Sequence, residues 1–238
     1  MSTLPLFNTS MRNADQMLEQ TLAQWGGDGD LWVFGYGSLI WRPDFEFSER
    51  HAGHVHGWHR ALKMWSTINR GTPQTPGLVF GMLSGGSCQG MVFRIPRAEA
   101  DTVMRKLWQR EMPNAVYDPR WLPCKTSNGP VKALAFTLSR QSPHHTGELA
   151  PEDYRRIFSQ AQGIYGTTLD YAQATFDELQ RLGIDDKALK RLLAYAECRH
   201  AQNQQKTQSL SILNIAACAF ADWAARQNGL KLWATSAQ

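Results

Sequence analysis

Between residues 31 and 95 the chain carries four strand-forming runs with no helix-period segment among them: Leu31–Tyr36, His56–Trp65, Leu78–Leu83 and Gln89–Ile95. Glycine and proline clusters separate them, notably Arg70-Gly71-Thr72-Pro73 and Ser84-Gly85-Gly86-Ser87. A fifth run, Val131–Leu138, follows one helical stretch. Strands that succeed one another without crossover helices do not build an alternating parallel sheet, so the spacing predicts a meander or a small barrel. Helical periodicity lies to either side. Asn13 with Gln16 resembles a capping box for a helix that runs to Trp25 and stops at Gly26-Gly27. Past Leu138 the pattern predicts helices over Pro151–Gln162, Leu169–Leu182, Asp186–Ala201 and Leu210–Arg226.

The first strand, all apolar from Leu31 to Phe34, runs straight into Gly35-Tyr36-Gly37-Ser38. Two glycines there let the backbone take unusual angles and approach a ligand closely. Successive N–H groups in such a turn can form a concave nest for an anion. The segment lacks the third glycine of a dinucleotide fingerprint and the Lys-Ser/Thr end of a phosphate loop. Ser38 is not in a Gly-x-Ser-x-Gly elbow, which argues against a serine hydrolase. A ligand cradle and a plain structural turn both remain open at this point.

The helix expected to start near Pro96 and end at Glu111 or Met112, before Pro113, holds Ala100, Val103, Met104, Leu107 and Trp108 at i, i+3, i+4, i+7 and i+8. The next position on that apolar face, i+11, is Glu111. Burial and the negative end of the helix dipole would both raise its pKa, which suits general acid/base work near neutral pH. The competing reading is a frayed helix end whose carboxylate meets solvent or pairs with Arg110 or Arg120. Near the C-terminal half, Gly163–Tyr171 is a glycine-rich loop feeding a helix, with Thr167 or Thr168 as N-cap.

Other chemistry is excluded more simply. The net charge of +4 comes with no basic run, so nothing marks a nucleic-acid surface. Cys88, Cys124, Cys198 and Cys218 form no Cys-x-x-Cys pair, which argues against a zinc site or a disulfide framework. His51, His54, His56 and His59 crowd together, but no cysteine or carboxylate follows at ligand spacing, so hydrogen-bonding roles are expected rather than metal. No signal peptide is read at the start, and the apolar run Leu210–Ala225 is too short and too interrupted to span a membrane. A cytoplasmic, reduced protein is expected. Nine tryptophans point either to a dense core or to an aromatic-lined cleft.

Together these segments resemble the ChaC-type γ-glutamylcyclotransferases. The likeness rests on Trp32 to Pro43, Gly57-Trp58-His59-Arg60, Trp108-Gln109-Arg110-Glu111-Met112, Tyr117 to Leu122 and Gly163–Tyr171. It implies a compact α+β fold, with helices around a small barrel-like mixed sheet. It also implies cleavage of a γ-glutamyl amide, characteristically glutathione, to 5-oxoproline and Cys-Gly, without metal or cofactor. Val33, Phe34, Gly35, Tyr36, Gly37, Ser38 and Leu39 would hold the γ-glutamyl group, largely by backbone. Glu111 falls on the family's catalytic glutamate, while Tyr117 and Tyr171 would border the substrate. The substrate is thus a small molecule, and neither nucleic acid nor membrane is expected as a partner.

Two positions depart from the family pattern: Ala115 where glycine is usual before the tyrosine, and Thr168 where asparagine is usual. Both lie near the expected pocket, so another γ-glutamyl amide stays open as substrate beside glutathione; a non-catalytic γ-glutamyl binder is the remaining alternative, and the presence of Glu111 speaks against it. The expected organisation is an extension with one helix over 1–29, a catalytic domain over 30–200, and a helical extension over 201–238 packed on the same domain.

Overall fold

The computed structural model describes residues 12–196. The helix expected at Leu210–Arg226, the extension over 201–238, and Cys198 and Cys218 lie outside the described residues.

Helix α1 (Ala14–Trp25) begins where Asn13 Oδ1 accepts from Gln16 N at 3.0 Å, and it ends on Gly26 in the left-handed conformation. Five strands then close a mixed barrel in the order β1-β3-β2-β4-β5. They are β1 (Leu31–Gly35), β2 (Glu49–Ser66), β3 (Gly77–Ile95), β4 (Asp118–Thr126) and β5 (Gly129–Thr137). All pairings are antiparallel except β1 with β5, where Val33 meets Leu134. Helix α2 (Arg97–Glu111) separates β3 from β4. After β5 come α3 (Pro151–Gln160), a small hairpin of β6 (Gln162–Gly163) and β7 (Gly166–Thr167), α4 (Thr168–Arg181), and a further helix over residues 187–196.

The strands differ from the sequence expectation in three places. Leu78–Leu83 and Gln89–Ile95 are one strand, because Ser84-Gly85-Gly86-Ser87 forms an irregularity inside β3 rather than a turn. Gly85 and Gly86 take positive φ opposite Gly57 of β2, also at positive φ, where the register shifts between His56 and Trp58. Strand β2 begins at Glu49, so all four crowded histidines lie within it. Strand β4 was masked by Pro119 and Pro123. It pairs with β2 only at His54–Lys125 and Val55–Cys124, so the part carrying those prolines behaves as an edge and tolerates residues without an N–H. Helix α2 starts at Arg97, with Pro96 as its cap rather than inside its first turn.

The apolar face read from α2 is the one buried: Ala100, Val103, Met104, Leu107 and Trp108 pack with Leu18 of α1 and with Leu31, Val33, Ile95, Leu134 and Phe136 of the barrel. Each Val, Leu, Ile, Met or Phe among them contributes about 1.5–3 kcal/mol on burial. Trp108 Nε1 donates to Ala14 O at 2.8 Å and ties α1 to α2. Phe34, also fully buried, lies on the other face of β1, where the absence of a side chain at Gly53 and Gly90 gives its ring room. Strand β1 is apolar on both faces because both are covered.

Cys88 and Cys124 are paired in register to Val55 from opposite sides. Two strand spacings put their backbones about 9–10 Å apart, beyond disulfide reach. The histidine cluster is held by local contacts. His51 Nε2 meets Glu49 at 3.0 Å and His59 Nδ1 meets Gly85 O at 2.7 Å. The rings of His54 and His56 lie 4.2 Å apart. Among the described residues no group of three or more His, Cys, Asp or Glu is gathered as a metal site would need.

Candidate active site

Strand β1 delivers the chain to one wall of a cleft of about 750 Å³, within the size range of small-molecule sites. Beyond Gly35 the backbone turns into a short 3-10 helix, Ser38–Ile40, closed by Ile40 N to Gly37 O at 3.0 Å and Arg42 N to Ser38 O at 2.7 Å. Of the seven expected cradle residues, Ser38 is the one whose side chain lines the cleft. Val33, Phe34 and Leu39 are buried in the core. Gly35 abuts Leu39 and Phe93, and a Cβ at Gly37 would stand 3.0 Å from Tyr171 Oη. Tyr36 turns its hydroxyl inward to donate to Phe136 O at 2.6 Å, and its own carbonyl accepts from Arg60 Nη1 at 2.8 Å. Arg60 is locked in turn by Asp186, at 2.7 Å, in an ion pair almost closed to solvent. The N–H groups of Gly37, Ser38 and Leu39 have no hydrogen-bond acceptor among the described residues.

Glu111 is the last residue of α2, and its side chain is 17 % exposed at the opposite wall of the cleft. Both sequence readings hold in part: the carboxylate is buried, and it pairs with Arg110 through Nε at 3.1 Å. Burial raises its pKa, Arg110 pulls it back down, and Asp44 pushes it up again, with a net rise. Arg110 does more than neutralise. Its Nη2 donates to Ser38 Oγ at 3.1 Å, and its Nη1 reaches Arg42 O at 2.6 Å, Pro43 O at 3.0 Å and Asp44 Oδ2 at 3.0 Å. One guanidinium thus fixes the carboxylate to the glycine turn, in the planar fork geometry lysine lacks.

Two buried phenols, Tyr117 and Tyr171, line the cleft with Glu111, and a third, Tyr36, lies behind them in the core. Tyr117 Oη donates to Phe80 O at 3.1 Å, and Tyr171 Oη accepts from Phe80 N at 3.3 Å. Desolvation and the Glu111 charge hold Tyr36 and Tyr117 well above the usual phenol range, and burial pushes Tyr171 up to about 12. All three therefore keep their protons at neutral pH. The two alternatives for the tryptophans are both realised: Trp108 is core, whereas Trp41 and Trp65 line the cleft.

Residues 31–199 match the protein family described as ChaC-like protein. The chain belongs to the ChaC-like family. A relative from Escherichia coli strain K12, named glutathione-specific gamma-glutamylcyclotransferase, is 33% identical over 187 residues, 78% of this chain and 81% of its own. Another from Homo sapiens, glutathione-specific gamma-glutamylcyclotransferase 1, is 32% identical over 164 residues, 66% of this chain and 74% of its own. The ChaC-like chain also superposes on the crystal structure of a yeast γ-glutamyl cyclotransferase specific to glutathione. The TM-score is 0.65 at 20% identity, covering 71% of this chain and 96% of that one, and this likeness shows the shared fold.

Both departures from the ChaC-like pattern have a structural account. Ala115 takes φ 48, the left-handed region where glycine is unstrained, and its methyl group is buried. Thr168 is buried behind the cleft wall, where Oγ1 accepts from Leu78 N at 2.9 Å and donates to Arg70 O at 3.3 Å. Thr167 is the N-cap of α4, and Asp170 answers it in a capping box. The sequence reading passed over Arg70, which lines the ChaC-like cleft from within a stretch that reads only as a separator between strands. It also noted Arg110 only as a partner for Glu111. The signal for a second role was its place next to that glutamate, opposite an unassigned serine.

Proposed function

We propose that this protein is a γ-glutamylcyclotransferase that cleaves glutathione into 5-oxoproline and Cys-Gly, with Glu111 as the acid/base. The observation that carries this reading is the Ser38–Arg110–Glu111 link. It sets a buried carboxylate of raised pKa across the cleft from the glycine turn, in a chain whose relatives bear glutathione-specific names. The family relation supports the activity, and the site geometry supports the assignment of roles.

In this mechanism the γ-glutamyl group lies against Gly37 and Ser38. Its α-amine attacks its own γ-carbonyl carbon. A C–N bond forms within the five-membered ring, and the amide C–N bond to cysteine breaks. Glu111 takes the proton released by the amine and returns it to the departing nitrogen, so no water is consumed. Nucleophile and electrophile belong to one molecule, and holding the reactive rotamer supplies much of the acceleration. Turn N–H groups and the Tyr171 hydroxyl, which stays protonated, stabilise the negative charge that develops on the carbonyl oxygen. The described cysteines are free, in keeping with a reducing, cytoplasmic setting, and no described helix is long and apolar enough to cross a membrane.

Incubation of the purified protein with glutathione, glutathione disulfide and simple γ-glutamyl amines, followed by quantitation of 5-oxoproline, tests the assignment. Glutathione is expected to be cleaved fastest. Equal release from a γ-glutamyl amine would broaden the substrate class, and no release from any of them would leave a non-catalytic binder. Tyr171→Phe removes the donor while leaving the ring that packs against Phe80 and Trp41. It is expected to lower kcat/KM by about 10-fold or more with an unchanged circular-dichroism spectrum.

A further inference from the structure

The cleft contains three arginines, and their hydrogen bonds set one apart. Arg110 has Nε and both Nη atoms engaged, and Arg42 pairs with Asp44 through Nε at 2.8 Å. Arg70 is different. Its Nη1 donates to the carbonyl of Tyr165, its guanidinium carbon sits 5.0 Å over the Tyr171 ring, and among the described residues no carboxylate stands within ion-pair distance. Guanidinium carries five N–H donors, so Nε and Nη2 retain the fork that grips a carboxylate. Burial lowers its pKa, Tyr171 and the nearby Asp170 carboxylate oppose the fall and Arg42 adds to it, and a guanidinium remains charged throughout.

The position is built rather than incidental. The Arg70 N–H donates to Ser66 Oγ at 3.0 Å, and its carbonyl accepts from Thr168. The β6–β7 hairpin is laced to the same loop by Ile164 N to Ile68 O and Tyr165 N to Asn69 O, each 3.0 Å. A Cβ at Gly77 would stand 2.0 Å from Arg70 O, and one at Gly163 would stand 2.3 Å from Ile68 O, so the backbones close tightly around this loop. Tyr165, whose carbonyl holds the guanidinium, is 56% exposed and lines the same cleft. Tyr171 spans the two regions, with its hydroxyl at Gly37 and its ring under Arg70.

We propose that Arg70 binds the terminal carboxylate of the leaving-group peptide, so that the enzyme favours γ-glutamyl peptides ending in a free carboxylate over γ-glutamyl amines. The assignment rests on the cyclotransferase reading above. With the γ-glutamyl head at Gly37 and Ser38, an extended Cys-Gly reaches roughly 7 Å past the scissile amide. That length carries its carboxylate from the hydroxyl end of Tyr171 out to the arginine. Arg70 is then a specificity residue that touches the substrate without touching the reacting atoms.

The test compares glutathione with glutathione whose glycine carboxylate has been converted to the primary amide, by kcat/KM for 5-oxoproline release. The unaltered protein is expected to lose about 10- to 100-fold on the capped substrate, the range for a charged hydrogen bond. Arg70→Met should lose a similar factor on glutathione and treat the two substrates alike, and Arg70→Lys should recover part of the preference. Equal rates on both substrates by the unaltered protein would overturn the assignment, and that result needs no variant to fold. So would an Arg70→Met protein that slows on both substrates by one factor, since the arginine would then serve the γ-glutamyl end or merely prop Tyr171. Absence of 5-oxoproline from glutathione itself would instead overturn the underlying cyclotransferase reading, and the Arg70 assignment with it.

Discussion

Glu111→Gln is expected to lower glutathione turnover by about 100- to 10,000-fold, the range for losing a positioned acid/base, while the protein stays folded. Glutamine fills the same space and can still accept from Arg110 Nε, so the link to Ser38 survives. Stability should move the other way. The Glu111 pKa is raised in the folded protein, so the folded state holds the proton more tightly than the unfolded one. Such a group supports folding below the ordinary carboxylate pKa, and that support is lost as pH rises through the folded value. At neutral pH the ionised, buried carboxylate is therefore a cost, and the glutamine variant is expected to melt at the same temperature or higher. Calorimetry at pH 7 with turnover assays on the same sample checks both halves. A variant that lost activity only because it unfolded would contradict the account. On the proposed role, the acidic limb of the kcat/KM profile is expected above that of an ordinary carboxylate, because Glu111 would have to be ionised to accept the amine proton.

Arg110→Met carries the second large effect. It removes the charge that lowers the Glu111 pKa and the hydrogen bonds that hold Ser38 and the 42–44 carbonyls. Loss of alignment across the cleft is expected to reduce kcat/KM by about 100-fold. The decisive readout is the pH profile. With Arg110 gone, burial and Asp44 act unopposed, and the acidic limb should move to higher pH than in the unaltered protein. Arg110→Lys should return the limb part of the way, but not the rate, because an ammonium cannot reach Ser38, Glu111 and the loop carbonyls at once. An unmoved limb in Arg110→Met would mean that Glu111 is not the group titrating.

The most legible part of the site was the helix that bears Glu111. Five apolar residues at helical spacing fixed which face of α2 is buried, and the carboxylate at the next position on that face had to enter the same environment. Periodicity is a local property and survives in one sequence. The glycine turn was legible as a special backbone, but not which of its side chains would face the cleft, since Val33, Phe34 and Leu39 are drawn into the core by tertiary packing. Strand β4 was hidden because its prolines matter only in relation to strands it does or does not pair with. Arg70 was hidden for a related reason. Its loop gains meaning only when Thr168 and Tyr165, nearly a hundred residues later, close on it. The Arg60–Asp186 pair that holds the Tyr36 carbonyl spans a still longer separation, and no spacing rule reaches that far.

The central claim is that the substrate's own amine, and not water, attacks the γ-carbonyl. Glutathione turnover in water enriched with heavy oxygen, followed by mass spectrometry, tests this directly. The account predicts one 5-oxoproline per Cys-Gly, with no heavy oxygen in either product. Glutamate carrying one heavy oxygen would contradict it, because water would then be the nucleophile and the chain a hydrolase.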